Sequence, residues 1–219
     1  MLMGIFSWLF PEKCLLCGKV LEEQELDLCS HCRVEAPVCG GGRVKYPFLD
    51  DWTALWYYEA DARSSLLRYK FHGKRSYAAG YARLLGMKLL EQDQAEFDIL
   101  TWIPISKKRL RKRGFDQVQL LAEKLGAELR CQPVATLRKV RHNPQQSGIT
   151  GYAQRRANVL GAYQAIDPAA IAGKRILLLD DILTTGATAG ECARVLLTAG
   201  AKQVNLAVIA TVRQHKTGR

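Results

Sequence analysis

Ile176-Leu-Leu-Leu-Asp180-Asp181-Ile-Leu-Thr184-Thr185-Gly186-Ala187-Thr188 is the stretch on which the fold turns. Four consecutive apolar residues make a strand buried on both faces, as in a parallel sheet. Two acids follow at its C-terminal end, where open α/β sheets bind ligands. A loop of hydroxyls around a glycine then leads into a helix. Gly186 lets the backbone approach an oxyanion closely. The amides of 185–188 and the hydroxyls of Thr184, Thr185 and Thr188 can wrap a phosphate at the helix N-terminus. Carboxylates beside a phosphate would repel it, so Asp180 and Asp181 need another task. Accepting hydrogen bonds from sugar hydroxyls, or holding a magnesium water shell, fits. Neither G-x-x-x-x-G-K-[ST] nor G-x-G-x-x-G occurs in the chain, which argues against other nucleotide loops.

Outward from this stretch the pattern is α/β. The last third predicts a strand over Arg175 to Asp180, a loop to Thr188, a helix over Ala189 to Thr198, a Gly200 cap and a strand over Gln203 to Thr211. Upstream, Thr53 to Tyr58 and Ile99 to Ile105 are strand-like. Ser64 to Phe71, Tyr77 to Glu91 and Phe115 to Leu129 have helical spacing, and 130–158 is polar, basic and irregular. Strands alternating with helices imply a parallel sheet. The division expected is 1–49, an N-terminal segment with a metal module, and 50–219, the α/β domain, with a basic mobile region over 101–158. Gly40-Gly41-Gly42 is read as a flexible break between them.

Composition agrees. The 219 residues are 48% apolar and 24% charged, which excludes disordered, collagen-like and low-complexity classes and leaves room for a sizeable core. No stretch approaches the roughly 20 apolar residues that cross a bilayer, so no stable membrane insertion is expected. Met1 to Phe10 is apolar but brief, lacks a basic leader and reads as an opening helical turn rather than a signal peptide. A cytoplasmic location is the expectation.

Charge and cysteine are both unevenly spread. Of the net +11, residues 101–158 hold thirteen basic and three acidic side chains. That block should meet an anion, the phosphates of a small ligand or of a nucleic acid. Its centre is Lys107, Lys108, Arg109, Arg111, Lys112 and Arg113, followed by Phe115. These cations come from almost every position, so they cannot all lie on one outward face. An aromatic beside such a run can stack on single-stranded bases. Five of seven cysteines lie between 14 and 39. Cys14-x-x-Cys17 and Cys29-x-x-Cys32 form two turns whose four thiolates suit a closed tetrahedral zinc site. Cys39 has no nearby partner and is not read as a ligand.

The Ile176 to Thr188 segment resembles the 5-phosphoribosyl 1-pyrophosphate (PRPP) motif of type I phosphoribosyltransferases. The resemblance implies that Asp180 and Asp181 act on the ribose hydroxyls as the catalytic acids. It further implies that Thr184, Thr185, Gly186, Ala187 and Thr188 cradle the 5-phosphate, with Mg²⁺ accompanying PRPP. Pro104 to Lys107 resembles the loop that holds pyrophosphate, making Ser106 and Lys107 ligand contacts, and the basic segment after it resembles a mobile hood.

Taken with the cysteine turns, Tyr69-Lys70-Phe71-His72-Gly73, Trp102-Ile-Pro-Ile, Arg113-Gly-Phe-Asp-Gln117, Gln145/Gln146 and Arg155-x-x-Asn158, the chain resembles the ComF family of competence proteins. That resemblance implies a zinc finger before a phosphoribosyltransferase-like domain, a role in uptake or use of external DNA, contact with single-stranded DNA, and a ComFA-type helicase partner. It leaves two alternatives: an active phosphoribosyltransferase of nucleotide salvage, or a PRPP-sensing regulator without turnover. No Ser-His-Asp set or zincin motif is present.

Overall fold

A computed structural model describes residues 11–40, 44–141 and 157–213. The expectations for Met1 to Phe10, for most of the Gly40–Gly42 break, and for Gln145, Gln146 and Arg155 lie outside these residues. The elements in chain order are α1 (Ser30–Glu35), β1 (Asp51–Tyr57), α2 (Ala60–Phe71), α3 (Tyr77–Glu91), β2 (Ile99–Trp102), α4 (Lys107–Arg113), α5 (Gln117–Glu128), β3 (Leu137–Lys139), β4 (Tyr163–Ala165), α6 (Pro168–Ile171), β5 (Arg175–Leu183), α7 (Ala187–Thr198) and β6 (Gln203–Thr211).

Four strands form one parallel sheet in the order β1-β6-β5-β2, and β3 and β4 pair antiparallel beside it. The apolar run of β5 is divided between two cores by the two-residue period of a strand. Leu177 and Leu179 join Leu100, Ala207 and Ile209 against α3 and α5. Ile176 and Leu178 join Val204, Leu206 and Val208 against α7 and the β3–β4 pair. Each of these side chains is fully buried, and each leucine, isoleucine and valine among them contributes roughly 1.5–3 kcal/mol of transfer free energy.

This layering creates the ligand crevice. After β5 the chain turns into α7, whose Ala189, Cys192, Ala193 and Leu196 pack on one face. After the neighbouring strand β2 it leads to α5, whose Val118, Leu121, Ala122 and Leu125 pack on the other. Helices leaving adjacent strands toward opposite faces open a gap at the strand C-termini. β2 ends at Trp102, opposite Leu179, while β5 runs on beside β6 as far as Leu183. One edge of Asp180–Leu183 therefore borders the gap.

Several boundaries differ from the sequence reading, among them the end of β2 at Trp102, the start of α2 at Ala60, and two at the site. β5 continues through both acids, because β6 still offers it a partner there. α7 begins at Ala187 rather than Ala189, because Gly186 takes φ 74° and starts the helix immediately. The basic run is helical over Lys107–Arg113. It forms a short helix with Ser106 as N-cap, its Oγ accepting from Arg109 N at 3.3 Å, and ends at left-handed Gly114.

The cysteine module is packed onto the domain rather than tethered to it. Leu15, Leu16 and Leu28 share a core with Leu66, Tyr69 and Tyr81. The Arg68 guanidinium donates to the carbonyl of Leu15 at 3.2 Å and to that of Leu16. Arg83 grips Asp27 bidentately, with Nε to Oδ2 at 2.9 Å. At Gly80 any Cβ would overlap the Asp27 carboxylate and Leu15, so α3 carries a glycine where the module touches it.

Candidate functional site

A cavity of about 370 Å³ lies in the gap between β5 and β2, within the size range of small-molecule sites. Asp180, Asp181, Thr184, Gly186, Ala187 and Thr188 line it from β5 and α7, and Lys70, Arg109, Arg113, Gln117, Lys139, Asn158 and Tyr163 line it from around the rim.

The phosphate loop is built by one glycine and one ring. Gly186 is buried, and a Cβ there would strike the ring of Tyr46. The segment after the cysteine module thereby braces the loop from outside. Thr185 Oγ1 accepts from Ala187 N at 3.4 Å, and Gly190 N closes the first turn onto Gly186 O at 2.7 Å. Thr184 and Thr188 line the cavity; Thr185 does not.

The acid pair is strongly asymmetric. Lys70 Nζ, from α2, stands 2.8 Å from Asp181 Oδ1, and Gln117 Nε2 donates to Asp181 Oδ2 at 2.8 Å. Burial works against the Asp181 charge, but Lys70, Gln117 and Arg113 outweigh it and hold this carboxyl below its ordinary range. Asp180 has no ion pair among the described residues, and its Oδ1 accepts from Asp181 N at 2.8 Å. Burial, then repulsion from Asp181, pushes it up, to about 8. Asp181 is thus an internal counter-ion, whereas Asp180 is held toward its neutral form, and a cation arriving beside it would favour its charged form.

The rim is basic. Arg109 and Arg113, four residues apart, share the inward face of α4. Lys107, Lys108, Arg111 and Lys112 are exposed on its other sides. Lys139 lies 4.7 Å from the centroid of the Tyr163 ring, with Nζ donating to the hydroxyl at 2.9 Å. Burial, then repulsion from Arg109, holds the Lys139 ammonium below its ordinary range. Asp116 fixes this rim by capping α5 through Val118 N and Gln119 N and by accepting from Ile105 N at 3.1 Å. Two buried polar atoms of cavity-lining residues, Gln117 Oε1 and Asn158 Nδ2, find no hydrogen-bond partner among the described residues. Such atoms are costly unless something else satisfies them.

Of the residues singled out in the sequence, Asp180, Asp181, Thr184, Gly186, Ala187 and Thr188 come together at the cavity. Ser106 is buried as the α4 cap, and Lys107 is exposed and outside the cavity lining. Phe115 is half-buried, edge-on to Tyr69 at 6.1 Å, with the Arg75 guanidinium 4.6 Å from its centroid. Lys70, Gln117, Lys139 and Tyr163 were not assigned roles from sequence. Lys70 and Gln117 do sit in the family-like segments, which was the available signal. Lys139 and Tyr163, 24 residues apart, carry none.

The cysteine cluster is compact. The sulfurs of Cys14, Cys17, Cys29 and Cys32 lie within 4.8 Å of one another, with Cys17 and Cys29 at 3.7 Å. A tetrahedral zinc with Zn–S near 2.3 Å needs sulfurs about 3.8 Å apart, so the donor set fits zinc and leaves no open position for chemistry. Cys39 is buried away from the cluster.

Among the described residues no helix is long and apolar enough to cross a membrane. A family model described as a phosphoribosyl transferase domain matches residues 111–218, and one described as a double zinc ribbon domain matches residues 5–42. The chain is 27% identical over 202 residues to the DNA utilization protein YhgH of Salmonella typhimurium, covering 88% of this chain and 87% of that one. It is 24% identical to competence protein F of Haemophilus influenzae, covering 90% and 96%. It is 28% identical to competence protein ComFC of Streptococcus pneumoniae, covering 88% and 96%. Among solved structures, glutamine phosphoribosylpyrophosphate amidotransferase from B. subtilis aligns with 65% of this chain and 30% of its own, at 19% identity and a TM-score of 0.43. Along most of its length the chain is a homologue of the competence protein F, ComFC and YhgH proteins, a zinc-ribbon module joined to a phosphoribosyl transferase domain.

Proposed function

We propose that this chain binds PRPP, or a ligand built like it, in the service of DNA uptake or utilisation. The observation that carries the reading is the polarity of the cavity. One cavity brings together Thr184, Thr188 and Gly186 at a helix N-terminus, the Asp180 carboxyl, and the cations Arg109, Arg113 and Lys139. A 5-phosphate belongs at the Thr184–Thr188 loop, where first-turn amides favour an anion. The ribose hydroxyls donate to Asp180. The pyrophosphate belongs among the rim cations Arg109, Arg113 and Lys139. Asp180 is also the carboxylate suited to a magnesium water shell, and the ion would supply neutralisation of the pyrophosphate charge.

Where turnover occurs, the same residues would act by holding the leaving pyrophosphate and positioning the ribose C1 for an incoming nucleophile. The DNA role is supported by the names of the relatives and by the outer face of α4. Its Lys107, Lys108, Arg111 and Lys112 form no ion pair among the described residues, so they are free to meet a phosphate backbone. A ComFA-type helicase is the protein partner this role would call for.

The test is calorimetric titration of PRPP with Mg²⁺ into the zinc-loaded protein, with Asp180→Ala/Asp181→Ala as control. Saturable binding that the variant loses supports the pocket, and a screen of bases for pyrophosphate release then separates an enzyme from a sensor. A folded, zinc-replete protein that takes up no PRPP would sink the proposal.

A further inference from the structure

Three consecutive residues of α2 face three environments. Tyr69 is fully buried, its hydroxyl donating to Gln117 O at 2.6 Å. Lys70 turns into the cavity toward Asp181. Phe71, the last residue of the helix, is 52% exposed and belongs to neither core. One side of its ring is approached by Arg113, whose guanidinium carbon lies 5.0 Å from the ring centroid. An aromatic with a cation behind it and solvent before it is a poor core residue and a good stacking platform.

Its surroundings carry one sign of charge. The α2–α3 loop packs on the end of α4, with Arg75 against Phe115 and Gly114, so exposed Lys74 and Arg75 stand at the end of a helix that carries exposed Lys107, Lys108, Arg111 and Lys112. A platform bordered by cations from two elements matches a single strand, whose bases are open to stacking while its phosphates follow the charges. A duplex offers the same phosphates with its bases closed.

Resting on the nucleic-acid reading above, we infer that Phe71, backed by Arg113, is the base-stacking platform of a single-strand track running from the α2–α3 loop onto the outer face of α4. Phe115, with Arg75 over its ring and Tyr69 at its edge, is a positioning contact rather than a platform. Arg113 serves both sides: its guanidinium lines the cavity and also stands behind Phe71, so the two sites share a wall.

Fluorescence anisotropy of a labelled oligothymidylate, with a blunt duplex of equal length as comparison, tests this on the full zinc-loaded chain. The single strand should bind more tightly than the duplex. Phe71→Ala should weaken it about five- to a hundredfold, the range one stacked base spans, with the salt dependence unchanged. Phe71→Trp should restore binding. Replacing Lys107, Lys108, Arg111 and Lys112 by alanine should instead flatten the salt dependence by about three logarithmic units per decade. Phe71 is exposed, so the alanine variant should keep its fold, checked by its thermal midpoint. If Phe71→Ala binds like the unmodified protein while the four-cation variant is weakened, the platform is refuted and the nucleic-acid reading survives. If the unmodified chain binds no single strand, or the four-cation variant binds as well as it does, the nucleic-acid reading itself falls.

Discussion

Replacing Lys70 by methionine should cost the fold about 3 kcal/mol at pH 7, and the cost should shrink as the solution is acidified. Lys70 and Asp181 meet at 2.8 Å with side chains only 13% and 11% exposed, so the pair lies in the regime where removing one partner strands a buried charge, at about 3–5 kcal/mol. The upper limit is set by the alternative of protonating Asp181. From an ordinary carboxyl pKa near 3.9, that costs about 4 kcal/mol at pH 7 and about 1.5 kcal/mol at pH 5. Gln117 and Arg113 remain beside the carboxylate, which moves the expected value below that limit. The sign follows from linkage. In the unmodified protein Asp181 is held below its unfolded pKa, so its contribution is present above that unfolded value and is lost as pH falls through the folded one. Without Lys70, burial raises Asp181 instead, the native state takes up a proton, and the penalty grows with pH. Urea unfolding followed by tryptophan fluorescence, with Trp52 and Trp56 buried as reporters, measures it at pH 5 and pH 7. A loss under about 0.5 kcal/mol at pH 7 would refute the compensation. A loss equal at both pH values would assign it to packing instead of charge. Lys70→Met/Asp181→Asn should recover more than 1 kcal/mol of the single-variant loss.

Other consequences follow from the same geometry. Asp180→Asn should be more stable than the unmodified chain at pH 8 by at least about 1 kcal/mol. A carboxyl whose folded pKa is raised makes the native state lose stability as pH rises from about 4 toward 8, and the amide removes that loss; parallel pH titrations of the unfolding free energy would show no such divergence if Asp180 is not raised. Gly186→Ala should cost about 1–3 kcal/mol, because it combines a left-handed φ with overlap on Tyr46, and an unchanged thermal midpoint would contradict this. Zinc analysis should find one ion per chain. Chelation should lower the single unfolding midpoint of the whole molecule, since Leu15, Leu16 and Leu28 share the domain core; an α/β transition indifferent to chelation would show that the module is independent.

How far the sequence reached depended on the kind of signal. β6 was legible to the residue because its apolar run is long and bounded, and α3 because its period is regular. The acid pair and the phosphate loop were legible because function there needs contiguous residues. The start of α7 was misplaced by two positions, since a glycine that ends one element and begins another has no preference visible in isolation. Within the region expected as a mobile hood, Ser106 and Gly114 cap Lys107–Arg113 into a short helix, a local feature that the charge pattern did not show. Lys107, expected as a ligand contact, is exposed, and the helical repeat turns Arg109 and Arg113 toward the cavity.

What the sequence determined by itself was local: four thiols at knuckle spacing, a doubly buried strand, two acids before a hydroxyl-rich loop, and an excess of cations in one block. These need only neighbours along the chain, and their chemistry follows from residue type and spacing. Which acid is charged, which cations face the cavity, and which aromatic is open to a strand are questions about groups far apart in sequence. Lys70 reaches Asp181 from α2, and Tyr46 braces Gly186 from the segment before β1. Coulomb energy and packing depend on distance through space, and only the tertiary fold sets that distance.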